Sequence, residues 1–591
     1  MKSKKFLMGA LVSVVSASVV LAGCSKGSET TTEPAPSNNA AKETKKEGPA
    51  VGGTYIRSTI GDAAVLLPIL TQDTASSDVS VLIFDGLLGL DDKLNIVPAF
   101  AESYTVEQDK IYTFKLSQGV TFHDGSPATC KDQKFSFEAM SHPKYQGVRF
   151  GDFLSVKGWQ ELSDTYDAIN AELDEKKIDE KTADEKKLAA WQNFWQTGGM
   201  TCVDDYTFKV ELSEPSAPFI FDVASYGPMP KHLMEADIAD LKGSKWATEP
   251  VGTGSMKFVE WVKDDHITLE RFADWKLGIE RHPTFIERVI FKVVPDAQAN
   301  MVALETGEVH LAGIQADSWD RFKNEVKHVN LHEYPALSYT FLGYNLLNPK
   351  FSDQKVRQAI TTAIPRQEIV DKLFLGHGAI ANTHGSPALW SYDPNVTVFN
   401  YDPAKAAQML DEAGWKVGAD GIREKDGVKF KFEIATNNGN KYREQSAVII
   451  QQALKQVGIE VTVNLMEWNA FLEYVDGDKK EAYILGWSLS ADPDPYSIFH
   501  SKGGFNAMND YNNPKVDELI MKGKSTTNME ERKKVYQQLG QELAIDQPYT
   551  FLYYANSLVG LTNQIQGPVK GTPAGIHWNY ETWYMQTSVT P

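Results

Sequence analysis

Apolar and polar residues alternate along several stretches of this chain: IYTFKLSQGVTFH (111–123), YTFKVEL (206–212), HITLERF (266–272), RVIFKVV (288–294) and FKFEIAT (430–436). A period of two places one set of side chains on a single face, so each stretch predicts a strand. Between them the period changes. SDQKVRQAITTAIPRQEIVDKLF (352–374) and EQSAVIIQQALKQVG (444–458) carry apolar residues at helical spacing, and the second runs through Gly458 into the strand pattern IEVTVNLMEW (459–468). In the first, Ser352 or Asp353 caps a helix whose inner face is Val356, Ile360 and Ala363, and Arg357 reads as a buried structural ion pair. Strands mixed with helices predict α/β lobes. About 540 residues beyond the N-terminal region exceed one hydrophobic core, so two or more lobes are expected.

Two regions break the pattern. From Glu161 to Trp195 the chain is helical in propensity and dense in charge. It reads as a solvated helical excursion held to the body by Leu188, Trp191, Phe194 and Trp195, with a partner-docking arm as the other reading. At the N-terminus, Lys2, Lys4 and Lys5 precede an apolar run from Phe6 to Ala22. That order fits a secretory signal peptide, while the length also meets the lower limit for an anchor helix. Leu21-Ala22-Gly23-Cys24 is similar to a bacterial lipobox, which implies cleavage after residue 23 and lipidation of Cys24. Residues 24–50 are Ser, Thr, Glu, Lys, Pro, Asn and Ala almost throughout and read as a disordered tether reaching roughly 25–30 Å.

The formal charge of −19 becomes −22 once the three signal lysines are removed. That excludes a nucleic-acid partner of the usual basic kind. Besides Cys24 there are two cysteines, Cys130 and Cys202; 72 residues of separation leave a disulfide open. No catalytic motif is complete. Gly523-Lys524-Ser525 lacks the leading glycine of a phosphate loop, the stretch GTGSMKF has Lys257 in place of a third glycine, and no GxSxG or HExxH occurs. His328 and His332 share a strand face without completing a ligand set. GADGIREKDGVKF reads as a turn between strands, since it lacks a calcium loop's carboxylates. No cofactor or metal is implied.

Six phrases spread over the chain resemble, in order and spacing, the extracellular solute-binding proteins of the oligopeptide, dipeptide and nickel class: LIFDGLLGLDDKLNIVPAFAESY, GVTFHDGSPATCKD, PVGTGSMKFVEW, KVVPDAQANMVALETGEV, YNLLNPKFSDQKVRQAITTAIPRQEIV and ILGWSLSADPDPYSIFHS. DQPYTFLYY and the helix–strand step at 444–468 look most like Gram-positive oligopeptide-binding lipoproteins. The resemblance implies a two-lobed α/β Venus-flytrap fold with an extra third domain. Lobe I would comprise 51–98, 201–335 and 551–591, the extra domain 99–200 with the 161–195 insertion, and lobe II 336–550. Hinges would lie near 334–344 and 546–554. It further implies a monomeric, lipid-anchored receptor that is not an enzyme. Such a receptor captures oligopeptides outside the cell and delivers them to an ABC permease and its ATPases. An oligosaccharide receptor on the same fold is the alternative, and an extracellular hydrolase a more distant one.

In peptide-binding members of this class, the loop after the ILGW strand often holds an aspartate for the peptide's amino end; here that position is Ser490. Either Asp492 substitutes, or the ligand is gripped through its backbone, or it is neutral. The candidate cleft residues are Trp487, Ser488, Leu489, Ser490 and Asp492 in this loop, Thr74, Ala75 and Ser76 in an early polar loop, Asn437 and Asn438 at a strand end, and Tyr344 and Asn345 near the hinge. Trp390, Trp468 and Trp578 join Trp487 as possible sugar-stacking platforms.

Overall fold

The computed structural model describes residues 49–277 and 284–586. The expected signal peptide at 1–23, Cys24 and the tether as far as residue 48 lie outside them. Among the described residues no helix is long and apolar enough to cross a membrane.

The alternating stretches become strands: Ile111–Leu116, Thr207–Glu211, His266–Arg271, Arg288–Val293 and Lys431–Asn437. The first is shorter than its pattern, because Gly119 turns the chain at positive φ and Thr121 makes only an isolated bridge. The 352–374 pattern is two helices, Gln354–Ala363 and Arg366–Phe374, since Pro365 cannot continue the first. Asp353 caps the first helix, and Val356, Ile360 and Ala363 are fully buried. Arg357 is buried too: its guanidinium pairs with Asp546 at 2.7 Å and donates to the carbonyls of Phe351 and Gln547.

One hydrogen-bonded sheet passes through both lobes. On the second-lobe side run Glu460–Met466, Lys431–Asn437, Ala482–Ser488 and Ser338–Tyr344. On the first-lobe side run Leu311–Gly313, Thr54–Thr59, Arg288–Val293, His266–Arg271 and Met256–Val262. The long strand Tyr549–Thr562 joins them. Its first part pairs with Ser338–Tyr344, its later part with Val329–Pro335. The inner second-lobe strands Ser338–Tyr344 and Ala482–Ser488 are buried on both faces, while the edge strand Glu460–Met466 is partly exposed. Tyr339 and Phe341 pack into one core layer, Leu342 and Tyr344 into another.

The expected boundaries differ from the sheets in two places. Met200–Asp204 and Thr207–Glu211 belong to a separate four-stranded sheet with Ala101–Glu107 and Ile111–Leu116, so the extra domain continues past residue 200. Residue 550 is no boundary either, since it lies inside the crossing strand. Cys130 and Cys202 form a disulfide that ties the helix Cys130–Ser141 to this smaller sheet.

The charged insertion is a pair of packed helices, Trp159–Asp174 and Glu180–Thr197. Phe194 is buried, and the indoles of Trp191 and Trp195 both donate to Ser141 Oγ. Leu188 was expected among these anchors but is exposed; Trp159 and Ala183 are buried in these helices instead.

Candidate functional site

A cavity of about 860 Å³ lies where the lobes face each other. Its floor is the crossing region, Tyr334 and Ala336–Tyr339 with Ser557. The first lobe contributes Ser77, Ser80 and Val81 from the helix Thr74–Ile83, and Phe221, Asp222 and Ser225 from and just after the helix Phe219–Ala224. The extra domain adds Arg149 and Asp152, and the second lobe the segment Trp487–Phe499 with His384 and Leu389. A second cavity of about 460 Å³ shares Val81, Phe221, Ser490 and Trp578 with the first and continues the space into the first lobe. The lobes also touch beside the cavity. Ala217 N donates to Lys524 O at 2.7 Å, Ala316 N donates to Tyr442 Oη at 2.8 Å, and Gly61 lies against the Trp468 ring. This is a closed arrangement.

The second-lobe wall is a constrained loop. Leu489 N donates to Leu337 O at 2.7 Å, fixing the segment to the floor as the strand Ala482–Ser488 ends. In Ser490-Ala491-Asp492-Pro493-Asp494-Pro495-Tyr496, Asp492 accepts from Asp494 N and Asp494 accepts from Tyr496 N. Such side-chain-to-backbone turns, each with a proline between, leave the loop few alternatives. Asp492 lines the cavity, but both its oxygens are bound by Arg532, at 2.6 and 2.7 Å. Arg532 further donates to Gly523 O and Tyr536 Oη, and its guanidinium lies over the rings of Trp390 and Tyr536. The expectation that Asp492 stands in as a free anchor therefore meets an aspartate whose charge is already matched.

Of the residues picked from sequence, Trp487, Ser488, Leu489, Ser490, Asp492 and Trp578 line the main cavity. Trp487 is largely buried, its ring stacked on Phe341. The others sit elsewhere. Thr74, Ala75 and Ser76 are not in a loop but open the helix capped by Asp73, and Ser76 Oγ is spent on Asp73 and Ala64 N. One turn further along, Ser77, Ser80 and Val81 face the cavity. Tyr344 is in the second-lobe core, hydrogen-bonded to Thr550, and Asn345 closes a turn with Lys480 and Leu347. Asn437 borders a separate crevice of about 330 Å³ and accepts from Arg443, while Asn438 donates its backbone N–H to Met466. Trp390 packs behind Arg532, and Trp468 opens a helix against Gly61.

Residues 95–509 match the model of bacterial extracellular solute-binding proteins, family 5. The chain belongs to that family. Among its relatives is the oligopeptide-binding protein AppA of Bacillus subtilis, 33% identical over 99% of this chain and 100% of AppA. The structure of that protein in complex with a nonapeptide superposes with a TM-score of 0.80 at 31% identity, covering 91% of this chain and all of the other. NikZ of Campylobacter jejuni, solved in complex with Ni(L-His), aligns with a TM-score of 0.75 at 26% identity over 90% of this chain and 99% of NikZ. The fold is thus the two-lobed one of family 5 binding proteins.

In this family 5 chain the cavity's electrostatics rest on residues the sequence did not single out. Asp494 is paired with Lys524 at 3.5 Å and Arg149 with Asp152 at 3.8 Å. Burial pushes the Asp494 carboxyl up to about 6, Asp492 adding to the rise and Lys524 opposing it. Burial first, then Asp152, raise Asp222 well above the usual carboxylate range. In the adjoining cavity, burial takes Asp85 to about 7 although the Trp275 indole donates to it. His384 is lowered to about 4 by burial, so it is neutral at physiological pH. The clue to Asp222 was present in sequence: FIFDVA sets one acid inside an apolar run. Nothing in the sequence alone put that run at the cavity. Among the described residues no group of His, Cys, Asp and Glu forms a metal site.

Proposed function

We propose that this protein is an oligopeptide receptor of an ABC importer. It captures extended peptides between its lobes and, closed, presents them to a membrane permease driven by ATPases. The supporting observation is the cavity itself, walled by both lobes over a floor of strand ends. A volume of 860 Å³ is at the upper end for small-ligand sites, and the space continues into a second cavity. Its wall is mostly apolar and hydroxyl-bearing, with its cations matched to carboxylates. Such a wall suits a ligand gripped through its backbone with varied side chains. A ligand touching both lobes stabilises the closed form by its differential affinity. In this reading the protein is a monomer at the outer face of the cell membrane, its signal peptide removed and Cys24 lipidated, with the 24–50 segment as tether and without enzymatic activity. Lipidation is read from the mass of the mature N-terminus.

The test is a thermal-shift comparison of the body beyond Cys24 with pooled peptides of two to ten residues and with a panel of oligosaccharides. A ligand at 100 times its dissociation constant stabilises by about 2.7 kcal/mol. A shift with peptides alone is expected. A shift with sugars alone overturns the peptide reading and turns attention to Trp487 and Trp578.

A further inference from the structure

Four carboxylates gather on the cavity wall: Asp152 from the extra domain, Asp222 from the first lobe, and Asp492 and Asp494 from the second. Three cations lie among them, and each is committed. Arg532 grips both oxygens of Asp492, Lys524 pairs with Asp494, and Arg149 with Asp152. Asp222 has neither an ion pair nor a side-chain hydrogen bond within the described structure. It is half-buried, on a short helix whose Phe221 also faces the cavity. Asp222 is therefore the one carboxylate of the four without a direct partner, and Lys524 acts on it only at longer range.

We propose that Asp222 is a specificity-determining residue that receives an alkylammonium group of the bound peptide, either its α-amino end or a lysine side chain. The proposal rests on the peptide reading above and gives that site its charge preference. Removing a carboxylate from water without a partner is costly, and a cation delivered by the ligand offsets that cost only when the lobes close. Ser490, across the shared cavity wall, offers a hydroxyl but no charge. The charges acting on Asp222 agree. Burial and the neighbouring Asp152, Asp494 and Asp492 favour its protonated form, and the cations Lys524 and Arg149 oppose them. An incoming ammonium displaces that proton, so peptide uptake releases protons and tightens as pH rises through the range where Asp222 titrates.

The experiment incubates the mature protein with three pools of random nonapeptides and quantifies retained peptides by mass spectrometry. The first pool is lysine- and arginine-free with free amino ends, the second is the same pool N-acetylated, and the third is N-acetylated but contains lysine. Wild type is expected to retain the first or third pool at least about tenfold over the second. The two arms separate the α-amino source from the lysine source. In Asp222→Asn that preference, taken as the ratio between pools for the same protein, is expected to fall within about twofold. A preference that survives in Asp222→Asn overturns the proposal, as does a wild type that retains all three pools equally. Retention of no pool by wild type counts against the peptide reading itself. Should Asp222→Asn bind nothing, Asp222→Ser carries the same comparison. Calorimetry in buffers of different ionisation enthalpy adds an independent readout: proton release on binding by wild type, lost in the variant.

Discussion

Asp492 and Asp85 are both cavity-wall carboxylates, and their surroundings treat them in opposite ways. Asp492 and Arg532 form a pair that is nearly inaccessible to water and fully hydrogen-bonded. Arg532→Met leaves Asp492 buried and alone, and is expected to cost about 3–5 kcal/mol in chemical denaturation. Adding Asp492→Asn to that variant should recover most of the loss, a coupling measurable in a double-mutant cycle. Among the described residues Asp85 has no cation partner, and burial raises it to about 7, above an unfolded aspartate. The folded state thus holds more protons than the unfolded state between pH about 4 and 7, and stability falls as pH rises through that window. Asp85→Asn keeps an acceptor for Trp275 and carries no charge. It should match wild type near pH 4 and exceed it at pH 8, by on the order of 2 kcal/mol after discounting for partial exposure. Equal pH profiles for the two proteins would refute this account of Asp85.

At the scale of elements, periodicity identified strands and helices well and placed side chains poorly. The strand Ser338–Tyr344 is buried on both faces, so it carries no alternation that says which residue meets ligand. The stretch QDTASSD reads as a polar loop, but Asp73 converts it into a helix start. That single capping bond moves the cavity-facing positions from 74–76 to 77, 80 and 81. The Cys130–Cys202 link closes a 72-residue separation that includes the whole charged insertion. In the chain-entropy account such a loop contributes about 4 kcal/mol. The double Cys→Ser variant is expected to lose about that much, seen in calorimetry as earlier melting of the extra domain. The two packed helices Trp159–Asp174 and Glu180–Thr197 contribute no residue to the cavity lining, so retained ligand binding below that melt is part of the expectation.

For the whole molecule, two lobes share one sheet through a narrow crossing, and the proposed function requires them to move about it. Near the cleft, Gly61 of the first lobe packs on Trp468 of the second: a Cβ at residue 61 would lie 3.0 Å from Trp468 Cβ. Gly61→Val overpacks that contact in the closed arrangement and leaves an open one untouched. Overpacking of this kind costs about 1–3 kcal/mol, so peptide affinity is expected to weaken about tenfold with little change in the ligand-free melting temperature. An unchanged affinity would show that closure does not depend on this contact.

The sequence by itself determined the lobe class, most of the strands and helices and the family, because periodicity, capping residues and ordered phrases are local. It also marked the Trp487–Asp492 loop, since that loop follows a recognisable strand directly. Tertiary structure decided which charges in the cavity are matched. Arg532 reaches Asp492 from 40 positions away, and Asp222 comes to the cavity from another lobe altogether. Whether a carboxylate is free depends on partners that only folding brings within a few ångströms, and no local pattern records them.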